Sequence, residues 1–129
     1  MSELKLPAAI GAVAAGGALG TLTRYGLGEL FPHIWTTLVI NVVGSLTLGI
    51  LAELLVHDKG WYLFLGTGFC GGFTTFSLFA VHAITESPIR SILYVLGTLI
   101  PAILAAALGK ELGERWMRIK DTGRDEVSA

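Results

Sequence analysis

Asn41 stands in the middle of an uncharged apolar run, with Thr37 four residues before it and Ser45 four residues after. Residues four apart share a helix face, so amide and hydroxyls form one stripe. Further along, Ser91, Tyr94 and Thr98 follow at spacings of three and four, again on one face. Such side chains perform no covalent chemistry. They donate and accept hydrogen bonds without formal charge. An unpaired amide in an apolar medium is costly. A stripe of this kind points to the wall of a polar pathway more than to a single interhelical hydrogen bond.

A third cluster reads GTGFCGGFTTFSLF from Gly66 to Phe79, also uncharged. Glycine is unfavourable inside a helix, and threonine hydroxyls at membrane depth need partners. The Gly71-Gly72 pair followed by Thr74-Thr75 therefore predicts a helix that breaks and turns freed backbone groups onto something polar, as helices do at ion and substrate sites. Thr75 and Ser77 fall beside the break and are assigned to the pathway with Asn41, Tyr94 and Thr98. Phe76 and Phe79 follow it, three residues apart. A phenyl ring has an electropositive edge that can solvate a small anion. Amide, hydroxyl and ring-edge donors together describe a path for an anion that must shed water without being trapped. Arg24 is the one cation well inside a span, and is read as attracting anions into a vestibule, or as reaching headgroups, a carbonyl or Glu29. His33, His57 and His82 lack metal-ligand spacing and read as boundary residues.

The elements that must carry these residues are membrane helices. Of 129 residues 53% are hydrophobic and 15% charged, with mean hydropathy +0.68; soluble domains carry about a quarter charged residues. Spans are predicted over about 6–30, 33–56, 60–85 and 89–109, each near the roughly 20 residues a bilayer helix needs. They make a four-helix transmembrane domain over 1–112. Residues 113–129 form a charged cytoplasmic tail, expected to lose order from Asp121 on. Lys5 precedes an apolar run too long for a cleavable signal, so the first span is expected to be retained. The lone Cys70 excludes an internal disulfide framework or cysteine-rich metal site. Four spans place both ends on one side. Lys5, Lys59, Lys110, Arg115, Arg118, Lys120 and Arg124 lie there, against Arg90 opposite, so that side is predicted to be cytoplasmic. Four helices offer few inward faces, and an oligomer is expected. Gly16 with Gly20, Gly68 with Gly72, and Ser45 with Gly49 supply close-packing pairs, for contacts between subunits or within one.

With these residues in view, the chain resembles the small bacterial fluoride channels of the CrcB/Fluc family. The resemblance covers about residues 11–109 and rests on GGALGTLTRY at 16–25, TLVINVVGS at 37–45 and GFCGGFTTFSLF at 68–79. It implies an all-α membrane protein, an antiparallel dimer of four-helix subunits with the third helix broken at mid-membrane, in the cell membrane among its lipids. It implies fluoride as the transported ion, with Asn41, Phe76, Phe79, Tyr94 and Thr98 along the pathway and Arg24 as the family arginine. It further implies that Gly71 and Thr74 carbonyls from both subunits hold a structural sodium ion that is not transported. The chain departs from the pattern at Leu78, where a hydroxyl residue is common, and at Pro101-Ala102, which bring a helix-bending proline and end the polar track. The second subunit is a copy of this chain or a homologous chain in the opposite orientation; the seven-to-one charge bias favours a single orientation for each chain. No nucleic-acid partner is expected.

Other functions fit less well. A four-span multidrug or cation exporter needs a carboxylate deep in the first span, and none precedes Glu29 apart from Glu3 outside the span. An enzyme would need a base beside Cys70, and the glycines at 16–20 lack the GK[ST] ending of a phosphate loop. A purely structural membrane subunit has little use for Asn41 and a Gly-Thr break.

Overall fold

A computed structural model describes the backbone of residues 4–128 and the side chains of residues 4–123. It is all helical. Helix α1 spans Leu6–Leu30, with Pro7 in its first turn, where proline's missing N–H costs nothing. After a short turn at Pro32 and His33, α2 spans Ile34–Leu54. The α3 segment begins at Lys59–Trp61, where the Asp58 carboxylate accepts from the Trp61 amide at 3.2 Å and caps the start. It widens to a π-helix over Tyr62–Cys70 and closes with Gly71–Phe73. Helix α4 spans Phe76–Thr85, and α5 spans Pro88–Ser128.

Four stretches, Leu6–Leu30, Ile34–Leu54, Lys59–Thr85 and Pro88–Gly123, are each long and apolar enough to cross a membrane. The chain is a multi-pass membrane protein. Its large apolar side chains face outward, Leu22, Ile84, Leu93 and Ile103 among them, while only Ile40, Cys70, Phe79 and Tyr94 are buried apolar residues among those described. In water that arrangement would forfeit the hydrophobic effect; in lipid it loses nothing, and packing must come from close backbone approach.

Glycine provides that approach. The helices pair as α1 against α3 and α2 against α5. Gly16 and Gly20 of α1 sit directly on the Phe64 and Phe69 carbonyls, and Gly72 on the Gly17 carbonyl, so that any Cβ at these positions would collide with backbone. The two GxxxG pairs read from the sequence thus meet each other inside one subunit. Gly49 lies on the Ala106 carbonyl of α5, and Gly109 on the Leu46 carbonyl of α2. Gly109 and Gly113 form a third GxxxG pair that the sequence reading passed over.

Two local features differ from expectation. The π-helical turns in α3 were not anticipated; the wider winding coincides with Gly66 and Gly68, whose missing side chains leave room for it. Helix α5 continues to Ser128 instead of losing order at Asp121. Beyond the apolar span it carries Lys110–Glu114, Glu111–Arg115 and Glu114–Arg118 pairs at i,i+4 spacing, each of which supports exposed helix. The helix also runs through Pro101 without interruption.

Candidate functional site: a clamped backbone between two cavities

Between α3 and α4 the backbone of Thr74 (φ −74°, ψ 158°) and Thr75 (φ −147°, ψ 125°) is extended. The residues explain it. Gly71-Gly72 weakens the helix before this point, and β-branched threonines favour extended backbone. Thr75 then caps α4, its hydroxyl accepting from the Leu78 amide at 3.2 Å. The Thr74 hydroxyl donates back to the Cys70 carbonyl at 3.0 Å.

Asn41 closes the gap. Its Oδ1 accepts from the Thr75 amide at 2.8 Å and its Nδ2 donates to the Thr75 carbonyl at 3.1 Å. One side chain therefore meets both backbone groups of one extended residue. Leaving either unpaired in an apolar setting would cost about 1–3 kcal/mol. One Nδ2 hydrogen remains for another acceptor. Ser45 donates to the Asn41 carbonyl at 2.8 Å along the same face of α2.

The diversion has a consequence for Gly71 and Thr74. In a regular helix their carbonyls would accept from the amides of Thr75 and Leu78, four residues on. Those amides point instead to Asn41 Oδ1 and Thr75 Oγ1. The Gly72 carbonyl has a different fate: it accepts from Arg24 Nε at 3.2 Å and from the Thr21 hydroxyl at 3.3 Å. Of the partners considered for Arg24, a carbonyl is the one it takes. Thr21, one turn before Arg24, was not singled out from the sequence, although its place on the same face of α1 is a usable signal.

Two hollows flank the Asn41–Thr75 clamp. One, of about 250 Å³, is lined by Asn41, Thr75, Phe76, Phe79 and Thr98, with Ser45 and Thr74 beside them. Five of the seven residues assigned to the pathway meet there. Among the described residues no acidic or basic side chain lines it, and Gly44, Leu48, Leu99 and Ala102 complete the wall. The other, of about 380 Å³, holds Arg24, Glu29, His33, Thr37, Thr75 and His82. Thr75 belongs to both. The Thr37–Asn41–Ser45 stripe therefore runs from one hollow past the clamp into the other.

Aromatic rings form a second thread. Phe76 and Phe79 lie 5.8 Å apart between centroids, Phe79 stacks on Tyr94 at 5.5 Å, and His82 meets Tyr94 edge-on at 6.0 Å. Tyr94 is 3% exposed and its hydroxyl has no hydrogen-bond partner among the described residues. Thr98 is buried too, but its hydroxyl hydrogen goes to the Tyr94 carbonyl at 2.8 Å. Ser77 lies outside the smaller hollow, exposed and 3.3 Å from the Thr75 hydroxyl. Phe76 is 79% exposed.

A family profile described as CrcB-like protein, Camphor Resistance (CrcB), matches residues 11–110. Among relatives, the fluoride-specific ion channel FluC 1 of Rhodococcus jostii is 55% identical over 115 residues, covering 89% of this chain and 93% of its own length. The FluC channel of Paracoccus denitrificans is 44% identical, covering 78% and 90%. FluC 2 of Rhodococcus jostii is 42% identical, covering 78% and 94%. With a profile that spans nearly the whole membrane part and relatives at this identity, the chain belongs to the CrcB family.

Proposed function

We propose that this chain is one subunit of a passive fluoride channel that lets fluoride leave the cell and so lowers its toxicity. The observation that carries the reading is the smaller hollow, where an amide donor, threonine hydroxyls and two phenylalanine rings converge without a charged side chain. Fluoride is small and strongly hydrated. It must exchange water for donors that hold it briefly, which neutral donors and ring edges do and a buried cation would not. The family and the printed names of the relatives point the same way. The chain is a channel subunit and not an enzyme. A carboxylate deep in α1, which a cation exporter would need, is absent from the described residues before Glu29.

The reading extends to assembly. The extended Thr74-Thr75 backbone lies at membrane depth, and the exposed Phe76 ring meets a second subunit in the opposite orientation in the cell membrane. Gly71 and Thr74 carbonyls, whose helical donors are diverted, suit a hard cation such as sodium. These carbonyls from two subunits would hold the ion; when bound, it supplies fixed positive charge that joins the broken helices and is not transported. Both chain ends face the cytoplasm by the lysine and arginine bias. That bias supports pairing with a homologous subunit of opposite bias over a dual-topology homodimer, and two relatives of this chain occur together in Rhodococcus jostii.

Purified protein in liposomes tests the proposal, with its partner where one is required. Fluoride efflux is expected in sodium buffer, chloride efflux is not, and replacing sodium by a large organic cation on both sides lowers fluoride efflux. Equal fluoride and chloride fluxes would remove the fluoride reading. Sodium-independent efflux would remove the sodium ion alone.

A further inference from the structure

The mechanism so far leaves His82 unused, although it lines the larger cleft beside Thr75, the residue common to both hollows. It lies three residues after Phe79 on α4, part-buried, in the cleft that also holds Arg24 and Thr75. Its ring meets the Tyr94 ring edge-on at 6.0 Å, and Tyr94 in turn stacks on Phe79. The ladder Phe76–Phe79–Tyr94–His82 therefore begins in the uncharged hollow and ends in the cleft. His82 is its one member that can carry positive charge.

We propose that His82 is a further lining residue of the anion path and that its charge state sets how readily anions pass from the cleft to the Phe79–Tyr94 rings. This rests on the channel reading above. Arg24 shares the cleft, but its Nε is held on the Gly72 carbonyl at 3.2 Å and it is not a member of the ring ladder. Imidazole is the side chain that changes charge between about pH 5 and pH 8. An imidazolium at the mouth of the ring stack attracts anions across a short distance; the neutral ring still offers a hydrogen-bonding edge but little pull.

The groups that face His82 fix the sign. From α1 come Arg24, Tyr25 and Glu29, and from the turn before α2 comes His33, all lining the same cleft. From α5 comes the buried Tyr94 side chain. On its own helix end Glu86 lies one turn on, and it is held 3.7 Å from Arg90. With Glu86 paired to Arg90, protonation of His82 makes the ring-stack side of the cleft more positive. Anion passage then increases as pH falls.

The test is electrogenic fluoride flux through reconstituted protein at equal pH on both sides, under a potassium–valinomycin clamp. Neutral HF carries no current and drops out of this readout. Wild-type flux is expected to rise roughly threefold to tenfold between about pH 8 and pH 6. His82→Gln, which keeps a polar side chain without the charge, is expected to be flat over that range. His33→Gln is expected to keep the rise. His82→Lys, permanently charged, is expected to hold the high flux at both pH values, which covers the case in which the glutamine variant fails to assemble. A full rise in His82→Gln, or loss of the rise only in His33→Gln, overturns the inference. Wild-type protein that conducts fluoride with no pH dependence also overturns it and leaves the channel reading intact. No fluoride current at either pH would sink the channel reading itself.

Discussion

Asn41 has a structural role in the fold and, in the proposed channel, a second role in passage. Its amide holds both backbone groups of Thr75, and the residue lines the hollow that Phe76, Phe79 and Thr98 share. Aspartate at this position would keep the bond from the Thr75 amide, set a carboxylate oxygen against the Thr75 carbonyl and add a negative charge to an anion path. Asn41→Asp is therefore expected to lower fluoride efflux from liposomes by tenfold or more and to destabilise the fold by about 1–3 kcal/mol. Efflux equal to wild type would take Asn41 out of the pathway. The polar stripe on α2 was legible in the sequence, because helical period alone aligns Thr37, Asn41 and Ser45. That Asn41 binds Thr75 was not, since the two lie 34 residues apart.

At the scale of elements, glycine does the packing that apolar surface cannot do in lipid. The α1–α3 and α2–α5 pairs interlock through glycines seated on carbonyls of the facing helix. The sequence offered the GxxxG pairs without saying which surfaces they join; the pairing within one subunit leaves other faces for a partner. Gly20→Ala would press its methyl group on the Phe69 carbonyl, and is expected to cost about 1–3 kcal/mol. Gly11→Ala meets nothing within 4 Å and is expected to be neutral or stabilising by about 0.5–1 kcal/mol. Thermal unfolding in detergent distinguishes them, and equal midpoints would mean that the glycine seats tolerate a methyl group. The extension of α5 to Ser128 follows a different rule, since charge pairs at i,i+4 spacing support helix where no lipid is required.

For the molecule as a whole, large apolar residues face outward and the Phe76 ring is exposed, as suits a chain surrounded by lipid and, in the proposal above, by a second subunit. The seven-to-one bias of lysine and arginine predicts one orientation when the chain is expressed alone. A cysteine introduced in the tail, in a Cys70→Ala background, is expected to react with a membrane-impermeant thiol reagent only from the cytoplasmic side. Labelling from both sides would favour the dual-topology homodimer.

The amino-acid sequence by itself determined the four spans, the break-prone run at Gly71–Thr75 and the membership of the uncharged stripes. Those depend on hydropathy, local propensity and helical period, all of which act over neighbouring residues. Tertiary structure decided which carbonyl receives Arg24, that Asn41 clamps Thr75, and that His33 and His82 share a cleft with Arg24. His82 read as a boundary residue because its surroundings come from α1, the turn before α2 and α5, all distant along the chain. Only the fold brings them together: close glycine contacts fix how far each helix approaches its neighbour, and that approach sets which side chains meet.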